Sequence, residues 1–178
     1  EQLTASQKYG VISQKKYMEI EGRRVTQVEF NAEILKHVEE NDFVISMRSF
    51  QGGIEYCPYV GCVSSAYVAL IPKENIHSPY FKYLLKSRRY IEALQSTSNL
   101  VRDGQALRYD NFCMVNLPIV PIEEQTEIAS YIDKQSQLTV QSIGLQRKQI
   151  EKLKEYKATL INSAVTGKIK VSEVDSGC

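Results

Sequence analysis

The chain has 178 residues, 43% of them hydrophobic, 24% charged and 9% aromatic, and 22 Lys+Arg against 21 Asp+Glu leave a formal charge of +1. That length suits one domain, or one domain with a long appendage, and buries a real core without disulfide staples. The composition excludes a disordered tail, a collagen-like chain and a disulfide scaffold, and no apolar run reaches the roughly 18–20 residues of a membrane span. A charge near zero argues against a generic nucleic-acid coat, but leaves room for a small, directed basic surface.

The chain opens at Glu1-Gln2-Leu3 without an initiator Met or a charged-then-apolar leader, and is expected to be a fragment. Residues 33–39 read as a short helical turn. Residues 43–47, Phe-Val-Ile-Ser-Met, read as a short apolar strand. Residues 63–71, rich in Val, Ala and Tyr and stopped by Pro72, read as a second. The strongest helix signal in this half covers residues 78–95. Ser78 stands as N-cap and Pro79 at the first helical position. Phe81, Leu84, Leu85, Arg88, Ile91 and Leu94 follow at spacings of three and four, an apolar stripe with one basic interruption. Residues 96–99, Ser-Thr-Ser-Asn, end it as a polar loop, and residues 112–119 read as a last short strand. Irregular alternation of strands and helices predicts a compact α/β or α+β domain over residues 1–121.

Residues 122–166 have another texture: no Pro, one Gly (Gly144), and many Gln, Glu, Lys, Ile and Leu. Glu123, Glu124 and Glu127 open the segment, and Arg147, Lys148, Lys152, Lys154 and Lys157 fill its later half, a charge order that suits a helix macrodipole at both ends. Pro121 before it and Gly167 after it are start and stop signals. The predicted helix is roughly 65 Å long at about 1.5 Å per residue. A domain of about 120 residues has a radius of gyration of about 14 Å, so part of the helix needs a partner. A heptad register aligns Ala129, Ile132, Ile143, Ile150, Leu153, Leu160 and Ala164, with Ser136, Thr139, Gln146 and Lys157 as interruptions. Such an imperfect seam fits antiparallel helix pairing, a coiled-coil-like arm, better than a long zipper. Residues 167–178 form a short tail.

The four cysteines, Cys57, Cys62, Cys113 and Cys178, offer one CxxxxC spacing and no second pair, and His37 and His77 form no ligand pattern. Free thiols in a reducing cytoplasm are expected rather than a zinc site. No phosphate-cradling glycine loop or nucleophile elbow is present, and nothing in the sequence pairs two carboxylates as acid and base. The expected chain is not an enzyme.

Two groups of motifs then stand out. The first is Leu117-Pro118-Ile119-Val120-Pro121-Ile122-Glu123-Glu124-Gln125, with Ile128, Ile132, Leu153-Lys154-Glu155-Tyr156 and Leu160-Ile161-Asn162-Ser163-Ala164-Val165-Thr166-Gly167-Lys168. It resembles the conserved region of the specificity (S) subunit of Type I restriction–modification systems, where a proline-rich hinge with a Glu-Gln pair opens a long helix. The second comprises Asn41-Asp42-Phe43-Val44-Ile45, Arg48-Ser49-Phe50-Gln51-Gly52-Gly53-Ile54-Glu55, Gly61-Cys62-Val63-Ser64-Ser65-Ala66-Tyr67 and Arg102-Asp103-Gly104-Gln105. It resembles the target recognition domain of that family. Members usually carry two such halves in tandem. Here no second recognition domain or second long helix is found, and the usual opening before residues 5–10 is missing, so the chain looks like one half, truncated or natural.

The resemblance implies sequence-specific binding of double-stranded DNA without chemistry of its own. It implies a partner modification subunit that methylates adenine, carrying the Asn-Pro-Pro-Tyr-type motif absent here. It also implies a translocating restriction subunit, with S-adenosylmethionine, ATP and Mg bound by those partners and no cofactor here. A prokaryotic cytoplasmic location and no membrane partner go with it. Pairing of the long helix, through Ile132, Ile143, Ile150, Leu153 and Leu160, with a second copy or a second half would space two recognition domains over a split target.

DNA reading needs phosphate anchors and base-edge readers. Arg48, Gln51, Gly52 and Gly53 form one candidate loop: Arg48 suits guanine, Gln51 suits adenine, and the glycines permit close backbone approach. A structural turn with Arg48 in a salt bridge is the alternative. Lys82, Lys86, Arg88 and Arg89 crowd the predicted helix and suit phosphates, or a solvated helix face. Arg102, Gln105 and Arg108 form a polar candidate loop. Lys15, Lys16, Arg23 and Arg24 read better as solvated doublets. Tyr9, Tyr17, Tyr56, Tyr59 and Tyr67 read mostly as core or rim, with apolar or hydroxyl contacts to DNA as the alternative. The competing reading of the whole chain is a protein-interaction adaptor with a coiled-coil arm and no DNA role.

Overall fold

A computed structural model describes residues 1–22, 34–46, 49–97 and 108–170. In chain order the elements are β1 (Leu3–Ser6), β2 (Gly10–Ser13), α1 (Gln14–Glu21), β3 (Lys36–Val38), β4 (Phe43–Ile45), α2 (Ser49–Gly52), β5 (Glu55–Tyr56), β6 (Gly61–Val63), β7 (Val68–Leu70), α3 (Ser78–Leu84), α4 (Arg88–Ser96), α5 (Tyr109–Cys113) and α6 (Ile122–Val165). The mixed strands and helices followed by one long helix match the expected class. The chain forms two compact units, Glu1–Ala129 and Ser130–Cys178. The boundary expected between residues 121 and 122 therefore falls later, because Gln125 and Ala129 of α6 are buried in the first unit.

The strands described pair antiparallel, and one isolated parallel bridge joins Gln2 to Cys62. β1 and β2 form a hairpin, β3 pairs with β6, and β4 lies between β5 and β7. β4 has an unbroken apolar sequence because both its faces are covered. Successive side chains of a strand point to opposite faces. Phe43 and Ile45 enter a cluster with Phe50, Ile54, Phe81, Leu85, Tyr90, Leu94 and Ala129. Val44 enters the other cluster, with Leu3, Val11, Val38, Cys57 and Val63. The first cluster holds α2, α3, α4 and the start of α6 against the sheet.

Several expected elements differ. Of the helical turn expected at residues 33–39, residue 33 lies outside the described residues and Lys36–Val38 form strand β3, drawn out by pairing with β6, where Lys36 faces Val63 and Val38 faces Gly61. The single strand at 63–71 is two strands in different sheets. Between them the chain turns through Ser64, whose carbonyl accepts from Tyr67 N–H at 3.0 Å. The helix at 78–95 is broken. Ser87 caps α4 by accepting from Tyr90 N–H at 3.3 Å, and Leu85 closes α3. His77, not Ser78, is the N-cap of α3, and the Ser78 hydroxyl donates to Asn41 O at 2.9 Å. Residues 112–119 hold no strand, and α5 occupies their start.

The start of α6 is fixed by Gln125, which is fully buried. Its Nε2 donates to Asn75 O at 3.0 Å and Val120 O at 2.8 Å, and its Oε1 accepts from His77 N–H at 2.8 Å. All three bonds tie the first turn to the segment before α3 and to the proline-rich stretch. Glu123 and Glu124 lie in that turn, favourable to the macrodipole. No basic residue occupies the last turn, so the charge match expected at that end is absent. The far end is closed instead by a Schellman motif. Lys168 N–H donates to Ser163 O at 2.8 Å, Gly167 N–H to Ala164 O at 3.2 Å, and Gly167 has φ of +73°.

Within the second unit the seam is open to solvent: Ile143 is 47% exposed, Ile150 49%, Leu153 66% and Leu160 45%. Ile132 is half-buried. Among the described residues, no helix is long and apolar enough to cross a membrane.

Candidate nucleic-acid interface

The described basic and amide side chains separate into those the fold uses internally and those it presents. Arg48, Arg102 and Gln105 lie outside the described residues, as do Arg23 and Arg24. Gln51 is exposed on α2, while its helix neighbours Ser49 and Phe50 are buried. Gly52 is half-buried, and a Cβ there would press to 2.7 Å from the Gln7 side chain.

Gly53 requires a correction. It is buried with φ of +76°, and a Cβ on it would meet Leu85 O at 2.2 Å. Its glycine is demanded by the α3–α4 junction, not by approach to a ligand. Lys86 requires another. Its ammonium points inward, donating to Glu55 Oε1 at 2.5 Å and to Gly52 O at 2.8 Å, so it does not belong with the phosphate anchors. The Lys82 ammonium lies 4.9 Å from the Tyr83 ring centre and 5.9 Å from that of Tyr56. Arg88 makes an exposed ion pair with Glu92 at 2.7 Å, and Arg89 is exposed. Arg108 stands exposed at the N-cap of α5, where its N–H donates to Asn111 Oδ1 at 3.2 Å.

These parts meet around α2. Gln95 of α4 donates through Nε2 to Phe50 O at 2.6 Å, and the β1–β2 turn lays Gln7 over Gly52. The same turn carries Lys8, paired with Glu21 of α1 at 3.1 Å, and Tyr9, whose hydroxyl donates to Glu21 at 2.7 Å. Thr97 O, two residues beyond Gln95, accepts from Asn111 Nδ2 at 3.0 Å. Gln51 therefore adjoins the β1–β2 turn and the end of α4. Thr97, one of the residues that make these contacts, is the last described residue before the segment that holds Arg102 and Gln105. Gln7 and Gln95 carry no sequence signal for this place, because only the folded contacts with Gly52 and Phe50 bring them to α2.

Below the turn, Gln7, Tyr9, Glu55, Tyr56, Lys82, Tyr83 and Lys86 line a cleft of about 520 Å³. Glu55 is 1% exposed, and its Oε2 has no hydrogen-bond partner among the described residues. Burial raises its pKa above the ordinary carboxylate value, and the Lys86 hydrogen bond and charge oppose that rise. Burial likewise raises the Cys57 thiol, whose Sγ donates to Tyr59 O at 3.1 Å. Cys57, Cys62 and Cys113 are free. Among the described residues no group of three or more His, Cys, Asp or Glu side chains could hold a metal ion.

The family model for the Type I restriction modification DNA specificity domain matches residues 1–155, most of the chain. The chain belongs to this family. The specificity domain is 27% identical over 139 residues to a protein of Methanocaldococcus jannaschii, provisionally named as the specificity subunit of type I restriction enzyme MjaX. That match covers 77% of this chain and 31% of the relative. A crystal structure of the HsdS subunit from Thermoanaerobacter tengcongensis is similar at 24% identity with a TM-score of 0.40, over 59% of this chain and 25% of that one. The specificity domain thus spans about a third or less of the length of these relatives. A role in DNA specificity accounts for the family match, and the adaptor reading does not.

Proposed function

We propose that this specificity domain reads one half of a bipartite target in double-stranded DNA and has no catalytic activity of its own. Bound to DNA in the cytoplasm, it directs a modification subunit that methylates adenine and a translocating restriction subunit. S-adenosylmethionine, ATP and Mg belong to those partners. α6, paired antiparallel with an equivalent helix of a second copy or a second half, spaces two such readers. The open row of Ile143, Ile150, Leu153 and Leu160 supports that pairing, because a lone helix in water gains nothing from such a row.

The observation that carries the reading is the placement of Gln51. An amide side chain suited to adenine stands exposed where the β1–β2 turn, α2 and the end of α4 meet, with Arg48 three residues before it. Arg102 and Gln105, in the segment that leaves the end of α4, are proposed as further base readers, and Lys82, Arg88, Arg89 and Arg108 as phosphate anchors.

The test uses the domain assembled with its modification subunit. Single Ala substitutions of Arg48, Gln51, Arg102 and Gln105 should each relax preference at one base pair, at a cost of about 1–3 kcal/mol for a lost bidentate contact. Ala at Lys82 or Arg89 should weaken all sequences alike and lower the salt dependence by roughly one unit of slope. Wild-type methylation of the native target by all four loop variants would remove those residues from the reading surface. Methyl transfer by the isolated chain would overturn the non-catalytic assignment.

A further inference from the structure

α2 is too short to hold its own direction. A four-residue helix is a single turn, closed here by Gly53 N–H to Ser49 O at 2.8 Å, and a single turn does not repay the cost of nucleating a helix. Its orientation is imposed from outside. Phe50 anchors it in the core at 4% exposure, and its terminal carbonyls, which a helix end leaves unpaired, are met by side chains of other elements. Gln95 donates to Phe50 O at 2.6 Å, and Lys86 donates to Gly52 O at 2.8 Å. Gly53 seats against Leu85 O just beyond. Gln51 is the one exposed residue of α2.

The Lys86 contact differs in kind from the others. The same ammonium is held at 2.5 Å by Glu55, whose side chain is almost completely buried. Such a pair adds little stability compared with a well-packed apolar pair, because Glu55 loses its hydration and Lys86, 31% exposed, loses part of its own. Separating the pair would leave the buried Glu55 carboxylate unpaired, which is strongly unfavourable, so the paired geometry is favoured. Here that geometry includes the carbonyl immediately after Gln51.

We propose that Lys86 is a positioning residue for sequence reading: bridged between Glu55 and the Gly52 carbonyl, it fixes the direction in which α2 presents Gln51 to a base edge. The inference rests on the reading of Gln51 as a DNA contact. Lys86 itself touches no DNA, and its effect on specificity passes entirely through Gln51.

A thermodynamic cycle in the complete complex with the modification subunit tests this. The variants are Gln51→Ala, the paired change Lys86→Met with Glu55→Gln, and all three together. The paired change removes the bridge without leaving a buried charge alone. Methylation kcat/KM is measured on the native target and on targets with single base-pair changes. The paired variant should lose discrimination at the same base pair as Gln51→Ala, by about 5- to 150-fold, the worth of one bidentate base contact. Binding to unrelated DNA should not change. Adding Gln51→Ala to the paired variant should cost no more discrimination, because the two act as one unit. Additive losses, a loss at another base pair, or full discrimination by the paired variant would overturn the proposal. A silent Gln51→Ala would instead sink the underlying reading, and the proposal with it. If the paired variant does not fold, as judged by circular dichroism, the same cycle is run on Lys86→Gln with Glu55→Gln. Gln is one atom shorter than Lys and does not span both partners, so discrimination at the Gln51 base pair should fall here too; full discrimination with a normal melting curve would overturn the proposal.

Discussion

Replacing Gln125 by Met should lower the stability of the first unit by about 3 kcal/mol. Met nearly matches Gln in shape, so the cavity term is small and the change isolates the amide. The amide makes three bonds, at 2.8, 2.8 and 3.0 Å, to groups on the segment before α3 and the stretch before α6. A typical net contribution is about 1 kcal/mol per bond. Asn75 is exposed and His77 half-buried, so water reaches part of what is lost, and the larger penalty for orphaned buried groups does not apply in full. For a unit of this size, 3 kcal/mol corresponds to a fall in Tm of roughly 10 °C. Gln125→Glu should be worse at neutral pH. One carboxylate oxygen can still accept from His77 N–H, but the other faces two carbonyl oxygens. Protonation restores one donor, so the defect should ease as pH falls. Calorimetry or circular dichroism melting from pH 4 to 8 reads both. A Met variant within about 1 kcal/mol of the parent, or a Glu variant equally stable across that range, would refute the role given to this amide.

Asp at both Ile150 and Leu153 should abolish helix pairing, because each fully buried Leu or Ile contributes roughly 1.5–3 kcal/mol and two buried carboxylates oppose the contact. Light scattering should report a halved mass, and a variant still paired at micromolar concentration would show the seam to be wrongly assigned. Tyr90→Phe should leave stability unchanged or raise it by about 1 kcal/mol, because the buried Tyr90 hydroxyl has no partner among the described residues and burial pushes its pKa far up. A clear fall in denaturant midpoint would contradict this. Glu55 binds its proton more tightly in the folded chain than in the unfolded one, where its value is near 4.5. Its contribution to stability should therefore fall as pH rises from about 4.5 through the raised folded value, then level off. Glu55→Gln should remove that slope from the stability-against-pH curve, and an unchanged slope would place the titration elsewhere.

The long helix was legible because its limits are local. Pro121, the early glutamates and Gly167 mark ends that depend on a few neighbouring residues, and the Schellman motif at Gly167 is local chemistry of that kind. β4 was legible for a similar reason, since three consecutive apolar residues reflect burial on both faces. β3 was not, because Lys36 and His37 are exposed and only pairing with Gly61–Val63 makes the segment a strand. The β1–β2 hairpin carried a signal that was passed over: Gly10 at φ of +72° after a short polar turn. The helix read through residues 78–95 followed an apolar stripe that survives the break, while Ser87, a good N-cap, marked the break itself. In the site, Gln51 was found by residue type and motif. Lys86 was misassigned because its partner Glu55 lies 31 residues earlier and is buried, which charge patterning along a helix cannot reveal.

That this chain selects a DNA sequence for modification by a partner is tested by methylation-site sequencing. DNA from source cells with and without the gene is sequenced for methylated adenine. A split target is expected, two short read elements around an unread gap, methylated only when the gene is present. For a chain that pairs with itself, the two elements should be identical and inverted. An identical methylation pattern in both cells would contradict the claim.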